Sequence, residues 1–197
     1  DVRPDAAMAY RACESASREP LENGCVGGGT GACVGKYRGR EYAMKTGIGT
    51  YAVQAGEIKV GAVVVLNALG DVFDIDTGEQ IAGMRTEDGR GLRSSERELW
   101  KDAGRIRDLF TGNTTIGAVL TNGAFGKAEL GKIAAMAHNG YARAIRPVHT
   151  TADGDSIYAL STGALSADLN AVGSLAAYVM GKAINRAAEA AVPMFGL

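Results

Sequence analysis

Glycine fills 28 of the 197 positions, twice the average share of about 7%, while aromatic residues make up only 6%. A chain built this way cannot rest on a few large core side chains. It relies on close approach of backbone to backbone and on turns that need the freedom of glycine. The densest run, "NGCVGGGTGACVGKYRG" from Asn23 to Gly39, predicts a tight loop leading into a short strand. It does not read as a nucleotide site. Gly35-Lys36 is followed by Tyr37 where a P-loop needs Ser or Thr, and the residues after Gly31 favour a strand where a dinucleotide fingerprint would open a helix.

Hydrophobic periodicity supplies the other elements. Pro4 to Ser17 predicts a helix with Ala7, Met8, Ala12 and Cys13 on its apolar face, and Pro4 suits the first turn. Glu41–Lys45 and Thr50–Gln54 predict a strand pair around Thr46-Gly47-Ile48-Gly49. Val60 to Leu66 is almost wholly apolar, the pattern of a strand buried on both faces. Asp71 to Gly91 is polar and turn-rich, which predicts a surface excursion. A charged helix follows over Ser94–Asp108. The second half predicts a strand at Thr115–Thr121 and an amphipathic helix at Lys127–Tyr141, with Leu130, Ile133, Ala134, Ala137 and Tyr141 on one stripe. Then come a strand at Asp155–Ser161 and a long Ala-rich helix at Leu169–Ala191, offering Leu175, Val179 and Ile184 to a sheet. Strands followed by helices in both halves predict helices packed outside stacked sheets, in a single domain spanning 1–197.

Composition narrows the partners. Charged residues are 22% of the chain and the net charge is -1, so neither nucleic acid nor an anionic membrane is an expected partner. No apolar run approaches the roughly 18 residues needed to cross a bilayer. Cys13, Cys25 and Cys33 are odd in number and lack C-x-x-C spacing, which argues against a disulfide framework or a structural zinc site and fits a reducing cytoplasm. No metal or cofactor is expected.

The chemistry gathers around "RIRDLFTGNTTIGAVLTNGAF", Arg105 to Phe125. A charged stretch stops at Gly112, presents Asn113-Thr114-Thr115, and enters an apolar strand. Asn113 fits the N-x-[ST] glycosylation pattern, but that modification belongs to secreted chains. Alternatively Thr114 is a nucleophile exposed by a cut before it. Its freed α-amine would then be the general base for its own hydroxyl, with no histidine needed, and that amine's reference pKa of about 7.7–8.0 lies near operating pH. A nearby lysine would lower it, carboxylates would hold its ammonium form, and a side-chain amide would take the developing oxyanion. Lys36 at the loop exit, Asn67 at the end of the apolar strand, and Asp153 and Asp155 around Gly154 supply these types. Asp153-Gly154-Asp155 also reads simply as a polar turn. His138 and His149, the only histidines, come with no G-x-S-x-G elbow and no metal-like partner at i+4, so both read as structural.

Taken together, "VGGGTGACVGK" at 26–36, "KVGAVVVLNALGDVFDIDTGEQIAG" at 59–83, "GNTTIGAVLTN" at 112–122 and "KIAAMAHNGYARAIRPVHTTADGDSIYALSTG" at 132–163 resemble one family. It is the self-cleaving N-terminal-nucleophile amidases, which include the D-aminopeptidase/β-peptidyl aminopeptidases and the endo-acting 6-aminohexanoate-oligomer (nylon-oligomer) hydrolases. The resemblance implies a four-layer α/β/β/α sandwich of the aminopeptidase/ornithine-acetyltransferase type, cut between Asn113 and Thr114 into an α portion, 1–113, and a β portion, 114–197. It implies Thr114 as nucleophile, with Lys36, Asn67, Asp153 and Asp155 on the family's site positions. Threonine and the two aspartates resemble the nylon-oligomer branch. The reaction implied is acyl transfer on small peptides or ω-amino-acid oligomers, without a cofactor, in a homo-oligomer of four or more chains. Family members are longer at the N-terminus and carry a site tyrosine upstream, so the chain resembles an N-terminally truncated member, and Tyr10 is not assigned that role. Three other readings stand beside this one: acetyl transfer as in ornithine acetyltransferases, a non-catalytic module whose glycine-rich loop binds an anion, and an inactive truncated relative.

Overall fold

The computed structural model of the chain describes residues 3–105 and 112–197. In chain order the elements are helix α1 (Ala6–Glu14), strands β1 (Cys33–Val34), β2 (Met44–Lys45), β3 (Ile48–Ala55), β4 (Ile58–Val65), β5 (Asp71–Phe73), β6 (Gln80–Ala82), β7 (Met84–Arg85) and β8 (Leu92–Arg93), and helix α2 (Ser95–Lys101). Then follow β9 (Ile116–Gly123), α3 (Lys127–Ala144), β10 (Ile145–Arg146), β11 (Ser156–Leu165) and α4 (Leu169–Glu189). The far end of the helix expected over Ser94–Asp108, and the stretch that leads up to Gly112, lie outside the described residues.

The main sheet has the order β11-β9-β4-β3. β9 lies at its centre, antiparallel to β4 and parallel to β11. A parallel neighbour requires a crossover, and α3 provides it, with its first turn closed by the Glu129 carboxylate on the Gly126 N–H at 2.8 Å. α4 starts on an Asp168 side-chain cap to the Ala171 N–H. Both helices cover the same sheet face, and they meet through small residues: a Cβ on Gly140 of α3 would run into the Ala177 carbonyl oxygen and lie 3.0 Å from the Gly181 nitrogen of α4. Small residues bring the layers close. A Cβ on Gly49 of β3 would run into the Ala183 carbonyl oxygen and lie 2.5 Å from the Ala187 nitrogen.

The other sheet face is covered by no helix among the described residues. Ile116, Leu120, Tyr158 and Leu160 point there and are 40–64% exposed. This changes the reading of Val60–Leu66. β4 alternates, with Val60, Ala62 and Val64 buried and Val63 and Val65 half-buried. Its apolar run is therefore buried under the helices on one face only, and half-buried on the other.

Three further expectations are corrected. Glu41–Lys45 and Thr50–Gln54 do not pair with each other: β2 pairs with β1, and β3 forms a hairpin with β4. The turn at Gly56 (φ 61°) makes that hairpin, whereas Thr46-Gly47 carries the chain between two sheets. The segment from Asp71 is not wholly a surface excursion. Val72, Ala82 and Met84 are buried, and Asp71 is fully buried, accepting bonds from Met84 N, Ser95 N and Ser95 Oγ. Polar residues there serve internal hydrogen bonds, which composition alone does not reveal. The first helix forms, yet every residue of α1 is exposed. The long Ala-rich helix is core, with Val179 and Ile184 buried. Among the described residues no helix is long and apolar enough to cross a membrane.

Candidate active site

The sheet ladder extends past the end of β9 and grips the Asn113–Thr114 peptide from both sides. On the β4 side, Thr114 N–H donates to the Asn67 carbonyl at 3.0 Å. On the β11 side, Gly154 N–H donates to the Asn113 carbonyl at 2.9 Å, and Ser156 N–H to the Thr115 carbonyl at 3.1 Å. These are the alternating bonds of a parallel pair, continued as a bridge between Asn113 and Asp153. The Thr114 hydroxyl donates to the Asn113 carbonyl oxygen at 2.6 Å. The peptide expected to be cut thus lies against its own candidate nucleophile. Asn113 is only 2% exposed, which removes it as a glycosylation acceptor in the folded chain.

Lys36 and Asn67 form one unit beside this peptide. Lys36 Nζ donates to Asn67 Oδ1 at 2.8 Å and to the Asn67 carbonyl at 3.3 Å, and Cys33 N–H shares Oδ1 at 3.3 Å. The Asn67 amide nitrogen faces the Gly112 carbonyl at 3.1 Å. Burial lowers the Lys36 pKa, with Cys33 and Asp153 pulling the other way and Arg40 adding to the depression. Its backbone is fixed on the strand end through Lys36 N–H to the Leu69 carbonyl. The next two side chains anchor the loop on α2: Tyr37 donates to Asp102 at 3.0 Å, and Arg38 pairs with Glu98 at 2.7 Å and Asp102 at 3.0 Å. Arg38, Arg93 and Lys101 all converge on Glu98, and hydrogen bonds from Lys101 and then Arg38 hold its carboxyl at about 2.

The two aspartates do different things. Asp153 closes a turn by accepting from Thr150 N and Thr150 Oγ1 through Oδ2, while its Oδ1 is buried without a hydrogen-bond partner. Asp155 accepts from Thr115 N–H at 3.0 Å and pairs with His149 Nδ1 at 3.0 Å. Burial raises the Asp155 pKa against these bonds. His149 Nε2 in turn lies 3.3 Å from His138 Nδ1. The Tyr141 hydroxyl, its pKa raised by burial, donates to the carbonyls of Thr115 and Ser156.

All six residues singled out in the sequence thus meet in one cluster. The histidines do more than the sequence suggested: they form a chain, His138–His149–Asp155, that ends on the residue after Thr114. His149 does so from a positive-φ backbone, φ 57°, a conformation uncommon outside glycine that histidine adopts more often than most residues. His138 and Tyr141, three apart on α3, share a face, which was the available signal. Nothing in the sequence marked His149 or the Gly154 N–H. A cavity of about 430 Å³ opens beside the cluster, lined among others by Cys33, Lys36, Asn67, Gly112, Arg3 and Arg40, a volume suited to a small ligand.

The arrangement of sheet and helices is similar to that of solved aminopeptidases, one of them described as a variant of the Ntn hydrolase fold. An L-aminopeptidase D-Ala-esterase/amidase from Ochrobactrum anthropi, described as a variant of the Ntn hydrolase fold, matches 97% of this chain and 51% of its own, with a TM-score of 0.68 at 21% identity. A Burkholderia sp. β-aminopeptidase matches 98% of this chain and 54% of its own, with a TM-score of 0.61 at 24% identity. The chain belongs to peptidase family S58, matching the family's sequence model over residues 1–196. An uncharacterized aminopeptidase of Mycobacterium leprae is 36% identical over 181 residues, covering 86% of this chain and 47% of the relative. A 6-aminohexanoate-oligomer endohydrolase of Kocuria sp. is 30% identical over 204 residues, covering 95% and 57%. The chain spans about half the length of these relatives.

Proposed function

We propose that this chain carries the reaction centre of an amide hydrolase that cuts itself between Asn113 and Thr114 and then uses Thr114 as its nucleophile. The observation that carries the reading is the Thr114 hydroxyl 2.6 Å from the carbonyl oxygen of the peptide it would break. In self-cleavage Oγ1 attacks the Asn113 carbonyl carbon, the C–N bond breaks, the hydroxyl proton ends on the leaving nitrogen, and water hydrolyses the resulting ester. The products are the Asn113 carboxylate and a free Thr114 α-amine.

In turnover that amine takes the Thr114 hydroxyl proton as Oγ1 attacks a substrate amide. The substrate amine leaves with a proton, and water releases the acid from the acyl-enzyme. Asn67 Nδ2 stands as donor to the substrate oxyanion. Lys36 holds Asn67 and lowers the amine's proton affinity, and the unpartnered Asp153 Oδ1 receives the ammonium. The substrate class is small peptides or ω-amino-acid oligomers, supported by the names of the relatives, and the working form is a homo-oligomer in the cytoplasm.

The test is the intact mass of the purified protein under denaturing conditions, measured on the 197-residue chain and on a chain extended upstream to the length of its relatives. Two pieces that meet at Asn113/Thr114, abolished by Thr114→Ala, are expected. A chain that stays whole in both lengths overturns the reading.

A further inference from the structure

We infer that the Gly154 backbone N–H is the oxyanion donor for self-cleavage, and that Asn67 serves only the later reaction on substrate. This rests on the reading of Thr114 as nucleophile. Two donors flank the site, and the uncut chain shows where each one points. One hydrogen of Asn67 Nδ2 goes to the Gly112 carbonyl at 3.1 Å, one residue upstream of the carbonyl under attack. The Asn113 oxygen instead accepts from Gly154 N–H at 2.9 Å. When Oγ1 adds to the Asn113 carbon, charge develops on an oxygen that this N–H already contacts. Donors within about 2.7–3.1 Å of the developing oxyanion are the arrangement that lowers such barriers.

The sheet itself explains the assignment. Residues 154 and 156 donate in parallel-ladder register to 113 and 115, so the oxyanion donor is a ladder bond, held rigidly by β11 on one side. On the other side Thr114 N–H is tied to Asn67 O. The peptide is fixed at both its nitrogen and its oxygen while only the Thr114 side chain must turn. Glycine is needed at 154 for space: a Cβ there would lie 2.8 Å from Thr114 Oγ1 and 3.7 Å from the Asn113 oxygen. A residue that offers the donor and leaves room for the nucleophile has to be glycine. The bond forms with the hydroxyl oxygen, breaks to the Thr114 nitrogen, and moves one proton from the first to the second, with no other reactant until water hydrolyses the ester. Both Asn67 amide hydrogens face a substrate oxyanion only when Gly112, which lines the cavity, has moved away.

The decisive experiment replaces Gly154 by glycolic acid in the full chain, made by cell-free translation, so that an ester oxygen stands where the N–H was. Splitting is followed by denatured mass against time. Loss of one such donor slows reactions of this type by about 10²- to 10³-fold, and a slowing of at least about 100-fold is expected. A wild-type chain that splits alongside a glycolyl chain that splits within about threefold of its rate overturns the inference and leaves Thr114 as nucleophile untouched. A wild-type chain that never splits removes the underlying reading instead. Hydrogen exchange at the Gly154 amide of the Thr114→Ala chain needs no backbone change: protection is expected, and exchange at the rate of an open amide overturns the inference.

Discussion

Asp155 is the residue at which charge and hydrogen bonding can be told apart. Its carboxylate is 4% exposed and receives two donors, the Thr115 N–H and His149 Nδ1, both at 3.0 Å. Asp155→Ala strands the Thr115 N–H, and Thr115 is fully buried. Leaving one buried donor unmet costs about 1–3 kcal/mol. His149, 37% exposed, can turn its Nδ1–H to water and adds about 0.5–1 kcal/mol for the lost net bond. The sum is about 1.5–4 kcal/mol. Asp155→Asn keeps one oxygen for Thr115 N–H and presents an N–H₂ where Oδ2 was. A neutral histidine accepts at one nitrogen and donates at the other, so His149 can switch tautomer, accept from the new amide and donate through Nε2 to His138. The polarity of the chain inverts, every bond survives, and the change should stay within about 1 kcal/mol.

The assay is urea unfolding in the Thr114→Ala background, where no cut complicates the transition. With a slope of about 2 kcal/mol per molar urea, the Ala variant should unfold about 1 M earlier than the Asn variant. pH sharpens the comparison. Burial raises the folded-state pKa of Asp155 above 3.8, so its favourable contribution is complete below pH 3.8 and is lost as pH rises through the raised value. Asn carries no such ionisation. It should therefore gain on the parent between acid and neutral pH. Equal midpoints for Asn and Ala would refute the hydrogen-bond accounting, and a gap between parent and Asn that does not change with pH would refute the burial argument.

Two other perturbations follow from the same geometry. Lys36 has a lowered pKa through burial, so on the proposed mechanism its charge, and with it the hold on Asn67, is lost as pH rises through that value; Lys36→Arg keeps a charge that cannot titrate, and the alkaline limb of amide hydrolysis should move to higher pH, an unmoved limb excluding Lys36 as its origin. Gly49→Ala drives a methyl into the backbone of α4 at Ala183 and Ala187 and should lower Tm by several degrees, at about 2–4 °C per kcal/mol for a chain of this size; Gly131→Ala, on the exposed side of α3 with nothing within 4 Å, should raise it slightly, and the opposite order in differential scanning calorimetry would contradict the packing described.

The elements that carry strong periodicity were legible. α3 and α4 follow the predicted stripes, with Ile133, Ala137, Tyr141, Val179 and Ile184 buried, and β9 and β11 begin within a residue of where the pattern placed them. The short pairs in the first half were not legible, because two-residue strands such as β1 and β2 have no period to read and are fixed by partners far along the chain. In the site, residue types were readable and bonds were not. Asp153 and Asp155 look alike in sequence, yet one closes a turn and the other holds Thr115 and His149. His149 is eleven residues from His138 and six from Asp155, spacings with no helical or strand period, and the fold brings the three together with His149 at φ 57°. Gly154 was invisible because its contribution is a backbone donor.

The uncut site also contains the reason it would open. Gly112 lines the cavity and its carbonyl takes one Asn67 amide hydrogen, so on the proposed reading the intact chain stands where substrate would bind. On the proposed reading, hydrolysis of the ester leaves a carboxylate on Asn113, at a position 2% exposed and bridged to Asp153. Asp153 already has one buried oxygen without a partner, and a second negative charge beside it is strongly disfavoured where water is excluded. The new α-amine of Thr114 has the opposite preference, since that oxygen can accept from its ammonium form. Cleavage therefore turns one neutral peptide into a cation the site can hold and an anion it cannot. The 112–113 end should leave while Thr114 stays on Asn67 O, which clears the cavity, releases the Asn67 amide and makes the cut effectively irreversible.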